Sequence, residues 1–211
     1  MKKLHLLVSY RIIFTCLVLL LSAIGIHSRG ERRCFQFTQI NGLPRNITTC
    51  IEQDKYGYLW IGTGNGIARY DGNNFKTYDE LSSVSIIDLL NDPRNNLWVC
   101  SDQGLYKYNR LTDSFEMVLR GYVSKALEDN GEIYFFQSVS INKIKGKNIA
   151  NVYTGENLSD FCFSKEGLWV GTINEGLRLF SRSSRFKEKD TSFLENKHVS
   201  YITEIDNIPV I

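Results

Sequence analysis

LWIGTGNG, from Leu59 to Gly66, returns as LWVCSDQG at Leu97 to Gly104 and as LWVGTINEG at Leu168 to Gly176. A fourth version, IYFFQSVS from Ile133 to Ser140, carries Tyr134 where the others carry Trp60, Trp98 and Trp169. The four aromatic positions are spaced by 38, 36 and 35 residues. Self-similarity at a fixed period marks a repeat architecture and outranks any local reading of the same residues.

Around each aromatic the signals keep one order. An apolar-rich run comes first, as in ITTCI at Ile47 to Ile51, VSIIDLL at Val84 to Leu90 or LSDFCF at Leu158 to Phe163. Turn residues follow at Tyr56-Gly57, Asn95-Asn96, Asn130-Gly131 and Glu166-Gly167, where Gly and Asn accept the positive φ of short hairpins. The aromatic-bearing strand is next, and a corner follows at Gly66, Gly104 or Gly176, with Ser140 in the third copy. Alternating residues such as IARYD or LYKYN come after it, and the copy ends on a segment with Phe75, Phe115 or Phe186. Four short hairpin-linked strands at this period make a propeller blade, and the 3.6-residue periodicity of a helical solenoid is absent.

The predicted fold is therefore all-β, an incomplete β-propeller of four-stranded antiparallel blades. The blades fall at about 47–78, 84–118, 123–153 and 158–189, with an incipient fifth at 199–211. A blade's middle strand is covered on both faces, which explains apolar triplets such as Leu59-Trp60-Ile61. Trp60, Trp98, Tyr134 and Trp169 are read as packing between blades, and Gly66, Gly104 and Gly176 as structural corners. Lys143, Lys145 and Lys147 alternate and share one strand face, as expected of an exposed outer strand guarded against edge pairing.

Ahead of the repeats, Lys2 and Lys3 precede an apolar and small-residue run from Ile12 to Ile26. This is an export signal, with residues 1–28 expected as a signal helix that is either cleaved or kept as an anchor, and 29–211 as the propeller portion. The run is short for a spanning helix, which needs about 20 residues. Lys2, Lys3, Arg11 and Arg29 account for four of the 25 basic residues, so the rest carries 21 against 23 acidic ones. That balance excludes nucleic acid as a partner, because phosphate binding needs a basic stripe. Cys34, Cys50, Cys100 and Cys162 lack CxxC spacing and read as small buried hydrophobes in separate strands more readily than as disulfides or metal ligands.

The stretch ITTCIEQDKYGYLWIGTGNGIARYDGNNFKTY, Ile47 to Tyr78, resembles the two-component-regulator propeller repeat, most specifically from Asp54 to Asp71. The second and fourth copies match it more loosely and the third weakly. The resemblance implies the periplasmic sensor region of a hybrid two-component histidine kinase, which detects oligosaccharides and feeds a phosphorelay. It also implies that FQFTQINGLPRN, Phe35 to Asn46, opens the first blade, with Phe35 to Gln39 as a strand that seals the ring. Four blades leave an open arc, so a fragment, a truncated gene product or an arc that needs another chain is expected, with the remaining blades or a second chain as partners. Membrane attachment would come only through the N-terminal segment or parts beyond these residues.

No catalytic constellation stands out. His5 and His27 belong to the export segment and His198 to a connection, and HExxH, GxSxG and CxxC motifs are absent. Gly62-Thr63-Gly64-Asn65-Gly66 lacks the Lys-Ser/Thr of a phosphate loop. Asp54, Asp71, Asp92 and Asp129 recur at turns, where carboxylates accept backbone N–H groups. The chain is expected to bind rather than catalyse, without cofactor or metal, and it contains no kinase region. The candidate ligand face is formed by the corners, with Asn65, Asp102, Gln103, Asn174 and Glu175, and by the connection residues Arg45 and Asn46. The alternatives are a secreted lyase or hydrolase on a propeller scaffold, which would need converging acid and base residues, and a protein-interaction scaffold.

Overall fold

The computed structural model describes residues 34–146, 148–182, 186, 189–205 and 208–210. The export segment, Cys16, His5, His27 and Lys147 lie outside them. The chain divides into two units, Met1–Gln36 and Phe37–Ile211. In the first, the described residues 34–36 carry no strand or helix.

Four four-stranded antiparallel sheets follow one another, each with its strands in chain order. The first holds β1 (Thr48–Gln53), β2 (Leu59–Thr63), β3 (Gly66–Tyr70) and β4 (Phe75–Thr77). The second holds β5 (Ile86–Asn91), β6 (Leu97–Ser101), β7 (Gly104–Asn109) and β8 (Ser114–Arg120). The third holds β9 (Val123–Asp129), β10 (Glu132–Gln137), β11 (Ser140–Lys145) and β12 (Asn148–Thr154). The fourth holds β13 (Leu158–Phe163), β14 (Gly167–Thr172), β15 (Leu177–Ser181) and β16 (Lys189–Phe193). A two-stranded hairpin of β17 (Thr203–Ile205) and β18 (Ile208–Val210) follows.

Side chains alternate between sheet faces, so a strand buried on both faces can be apolar throughout. In β6, Leu97 and Val99 join the core shared with the first blade, while Trp98 and Cys100 join the core shared with the third. In β10, Ile133 and Phe135 face the second blade, and Tyr134 and Phe136 face the fourth. Trp169 packs with Val199 and Ile202 of the segment leading into β17. Each repeat aromatic thus points towards the following blade.

Three local expectations differ from the structure. Residues 34–38 form no strand, and Gln39–Asn41 is a 3₁₀ turn. The cause is a local capping box: Thr38 Oγ1 accepts from the Ile40 amide at 3.3 Å and Asn41 Oδ1 accepts from the Thr38 amide at 2.9 Å. Phe37 packs instead against Tyr70 and Phe75, at ring separations of 5.0 and 5.2 Å. The lysines do not mark an outer strand: Lys143 and Lys145 lie on β11, paired on both sides, and the outer strand is β12. Finally, Phe186 is in a turn, where φ of +64° takes the chain out of the extended region, and the fourth outer strand begins after it.

Candidate functional site

Antiparallel order places the connections between blades and the β2–β3 type of corner on one rim. The β1–β2 and β3–β4 types of turn lie on the opposite rim. The corner rim is held by a device repeated at the end of β2, β6 and β14. Thr63, Ser101 and Thr172, all fully buried, donate their hydroxyls to the carbonyls of Gly66, Gly104 and Gly176 at 2.8, 2.8 and 2.9 Å. The same oxygens accept from the amides of Asn65, Gln103 and Glu175. Space is tight at the corner: a Cβ on Gly104 would lie 2.3 Å from the Leu119 carbonyl oxygen. Backbone bonds then lash corners to connections, as from Gly66 N to Val84 O at 2.8 Å and from Asp102 N to Ser85 O at 3.1 Å.

Arg45, Asn46, Asn65, Asp102, Gln103, Asn174 and Glu175 are all exposed on this rim. Three of them serve their own surroundings. Asn46 accepts from the Gln39 amide at 2.8 Å, Asp102 accepts from the Ser85 amide at 3.0 Å, and Glu175 pairs with Arg178. The side chains of Arg45, Asn65, Gln103 and Asn174 have no hydrogen-bond partner among the described residues. Only Asn65 of the seven borders the 200 Å³ cavity on this rim, which lies between Pro44, Tyr78 and Ser82. The corners therefore form a rigid polar rim rather than one enclosed site.

On the turn rim, Asp54 Oδ1 accepts from the amides of Tyr56 and Tyr58 at 2.9 and 3.2 Å, and Oδ2 accepts from the Trp60 indole at 3.1 Å. Asp92 does the same for Trp98 at 3.1 Å, and Ser164 Oγ for Trp169 at 3.0 Å. The Asp54 carboxylate also receives Arg110 of the next blade at 3.0 Å. Asp129 receives Arg182 of the next blade in a fork of 2.6 and 2.7 Å. Burial pushes the Asp54 carboxyl up, but the indole, the guanidinium and the Tyr56 amide outweigh it and hold the group below the usual carboxylate range.

The innermost strands bring a further set together. Cys50, Asp88, Lys125 and Asp160 occupy equivalent places, each paired just inside a β-bulge, with Gly62, Cys100, Phe136 and Gly171 respectively. Lys125 Nζ lies 2.7 Å from Asp160 Oδ1, while Asp160 Oδ2 accepts from the Ile202 amide at 2.7 Å. Burial raises the Asp88 carboxyl, with Lys125 acting against it. Lys125 also borders a cavity of about 630 Å³, together with Asn130, Arg182 and Tyr201. A cavity of about 360 Å³ occupies the corresponding cleft between the first and second blades.

Sequence reading placed the candidate face on the corners and missed both clefts. Their signal was weak: basic residues beside the turn acids, as in Asp54-Lys55 and Asp92-Pro93-Arg94. Of the cysteines among the described residues, Cys100 and Cys162 are buried, Cys50 is half-buried, and Cys34 is exposed outside any strand. His198 is exposed, and no group of three or more His, Cys, Asp or Glu able to hold a metal occurs among the described residues. The arrangement presents hydrogen-bonding groups and charge at the surface.

Residues 42–65 match the family described as "Two component regulator propeller". A 67-residue stretch is 37% identical to histidine kinase P4 of Formosa agariphila, covering 31% of this chain and 5% of that protein. The extracellular domain of the hybrid two-component system BT4673 of B. thetaiotaomicron superposes with a TM-score of 0.61 at 16% identity, over 75% of this chain and 27% of that one. PorZ, a surface component of the type-IX secretion system of Porphyromonas gingivalis, gives 0.60 at 17% identity, over 83% and 32%. At such identities the structural likeness establishes the fold alone. The chain spans only a small part of the length of these relatives.

Proposed function

We propose that this chain, a two-component-regulator propeller protein, works as the ligand-sensing module of an exported two-component sensor, and that its ligand is an oligosaccharide. The observation that carries the reading is the corner rim. Buried hydroxyls pin the first, second and fourth corners, and the amides of Asn65, Gln103 and Asn174 stand on them, with the Arg45 guanidinium on the connection before the first blade, without hydrogen-bond partners among the described residues. Hydrogen-bonding groups carried on a pinned backbone suit a hydroxyl-rich ligand, because only the side chains and not the corners beneath them need ordering on binding. The match at residues 42–65 and the likeness to a histidine kinase support a place in phosphorelay signalling. The chemistry of phosphoryl transfer would belong to other parts of such a system.

A panel of oligosaccharides tested by thermal shift on the full chain provides the test. One glycan class should raise the melting temperature saturably, since a ligand that binds only the native state stabilises it by mass action. No shift with any glycan, alongside stoichiometric capture of a protein, would replace this reading with that of an interaction scaffold.

A further inference from the structure

We infer that the cleft between the first and second blades, on the turn rim, is a binding site for an acidic sugar, one bearing a carboxylate or a sulfate. The cavity of about 360 Å³ is bordered by Lys55, Arg94, Lys107 and Arg110. Among the described residues, Lys55, Arg94 and Lys107 have no ion-pair partner, while Arg110 is tied to Asp54 at 3.0 Å. Glu116 is the acidic residue on the wall. It accepts from Asn109 Nδ2 at 2.8 Å and faces Lys107 across β7 and β8. The cleft therefore carries a clear excess of positive charge in a chain whose propeller portion is nearly neutral.

A second, independent feature points to a ligand. Asn95 is only 7% exposed and lies on the cavity wall. Its Oδ1 accepts from the Lys55 amide at 3.0 Å, yet its Nδ2 has no hydrogen-bond partner among the described residues. A buried donor without an acceptor is destabilising, so a group fixed in this way calls for an acceptor. The backbone φ of +60° and the bond from its own amide to Asp92 O at 2.7 Å hold the side chain in place. An oxyanion in the cleft would accept from this amide and from the surrounding cations together, as charge-assisted hydrogen bonds. Tyr56, 60% exposed and with Arg110 stacked 4.8 Å from its ring centre, adds an aromatic wall for a pyranose ring. The choice of a sugar rests on the sensing reading above; the oxyanion rests on the cleft alone.

Calorimetric titration of the full chain separates the two. The probes are a galacturonate trimer, a sulfated galactose oligomer, the neutral galactose oligomer and inorganic sulfate. The acidic oligomers should bind at least about tenfold more tightly than the neutral one, the scale of one charge-assisted hydrogen bond. The exposed-site variant Arg94→Gln and the isosteric Asn95→Asp should each weaken acidic binding by about tenfold or more. Circular dichroism would establish that both variants fold, and Lys55→Gln would stand in for any that does not. Neutral binding as tight as acidic binding, or acidic binding untouched by the variants, would overturn the inference and leave the sensing reading intact. Sulfate held in the cleft with no oligosaccharide bound would overturn the assignment to a sugar.

Discussion

Replacing Asp54 by alanine should destabilise the protein far more than the same change at Asp92. Both carboxylates receive a buried tryptophan indole at 3.1 Å. Asp54 alone of the two also receives an arginine from the next blade. Its side chain is fully buried and that of Arg110 is 27% exposed. Asp92→Ala strands one buried indole donor and leaves the half-buried Asn96 amides, which also donate to this carboxylate, to water, at a cost of about 1–3 kcal/mol. Asp54→Ala strands the Trp60 donor and leaves a half-buried guanidinium unpaired, for which breaking a buried pair costs about 3–5 kcal/mol. Urea unfolding of the two variants, with Arg110→Gln and the double variant completing a cycle, measures both. A coupling between Asp54 and Arg110 of about 1 kcal/mol or more is expected for residues in one network. The folded carboxyl titrates below its unfolded value, so its stabilisation is present above the unfolded value and lost as pH falls through the folded one. Asp54→Ala should therefore flatten the acid limb of the stability curve. Equal losses for the two variants together with zero coupling would refute the clamp.

Gly62→Ala should destabilise by about 1–3 kcal/mol, because a Cβ there would sit 2.4 Å from Cys50 Sγ and 2.7 Å from Ile86 Cγ2. Cys50→Ala should recover part of the loss in thermal unfolding, and no recovery would place the strain elsewhere. Asp113 gathers Arg69, Lys76, Tyr78 and Tyr108; burial opposes ionisation, but the bonds from Lys76, Tyr108 and Tyr78 bring its carboxyl down to about 2. Carboxyl NMR should give a midpoint near that value in the native protein and a higher one in Lys76→Met; an unchanged midpoint would remove Lys76 from the cause.

The fold was legible because its determinants recur. A tryptophan needs a partner for its indole, and Asp54, Asp92 and Ser164 stand five or six residues ahead of Trp60, Trp98 and Trp169. A corner needs its hydroxyl, and Thr63, Ser101 and Thr172 stand three or four residues ahead of the corner glycines. What stayed hidden was either more local or less local than the repeat. Thr38 and Asn41 close a capping box that overrides the strand expected at Phe35 to Gln39. Arg110 and Arg182 reach carboxylates more than 50 residues earlier, and no turn chemistry announces such a pairing. Alternation at Lys143 and Lys145 reports a strand face but not which strand of the sheet carries it.

The same distinction separates scaffold from recognition. Residues present in several copies are occupied with holding blades: indole staples, corner hydroxyls, and Asp–Arg clamps at the first and third interfaces. The residue after each turn staple is instead Lys55, Pro93, Asn130 and Lys165, and the next is Tyr56, Arg94, Gly131 and Glu166. Lys55, Tyr56, Arg94, Asn130 and Lys165 of these border the interblade clefts and change from blade to blade, so equivalent clefts on one framework differ in charge. The cleft with Lys55, Arg94 and Lys107 gathers unpaired cations around an amide donor that the protein leaves unsatisfied. Its counterpart between the third and fourth blades closes its charges on one another, with Asp129 forked on Arg182. A propeller built this way can alter its ligand by substitution at turn tips without disturbing the staples one residue away. For that reason the non-repeating turn residues, rather than the repeat signature that identifies the fold, are where ligand specificity is to be sought.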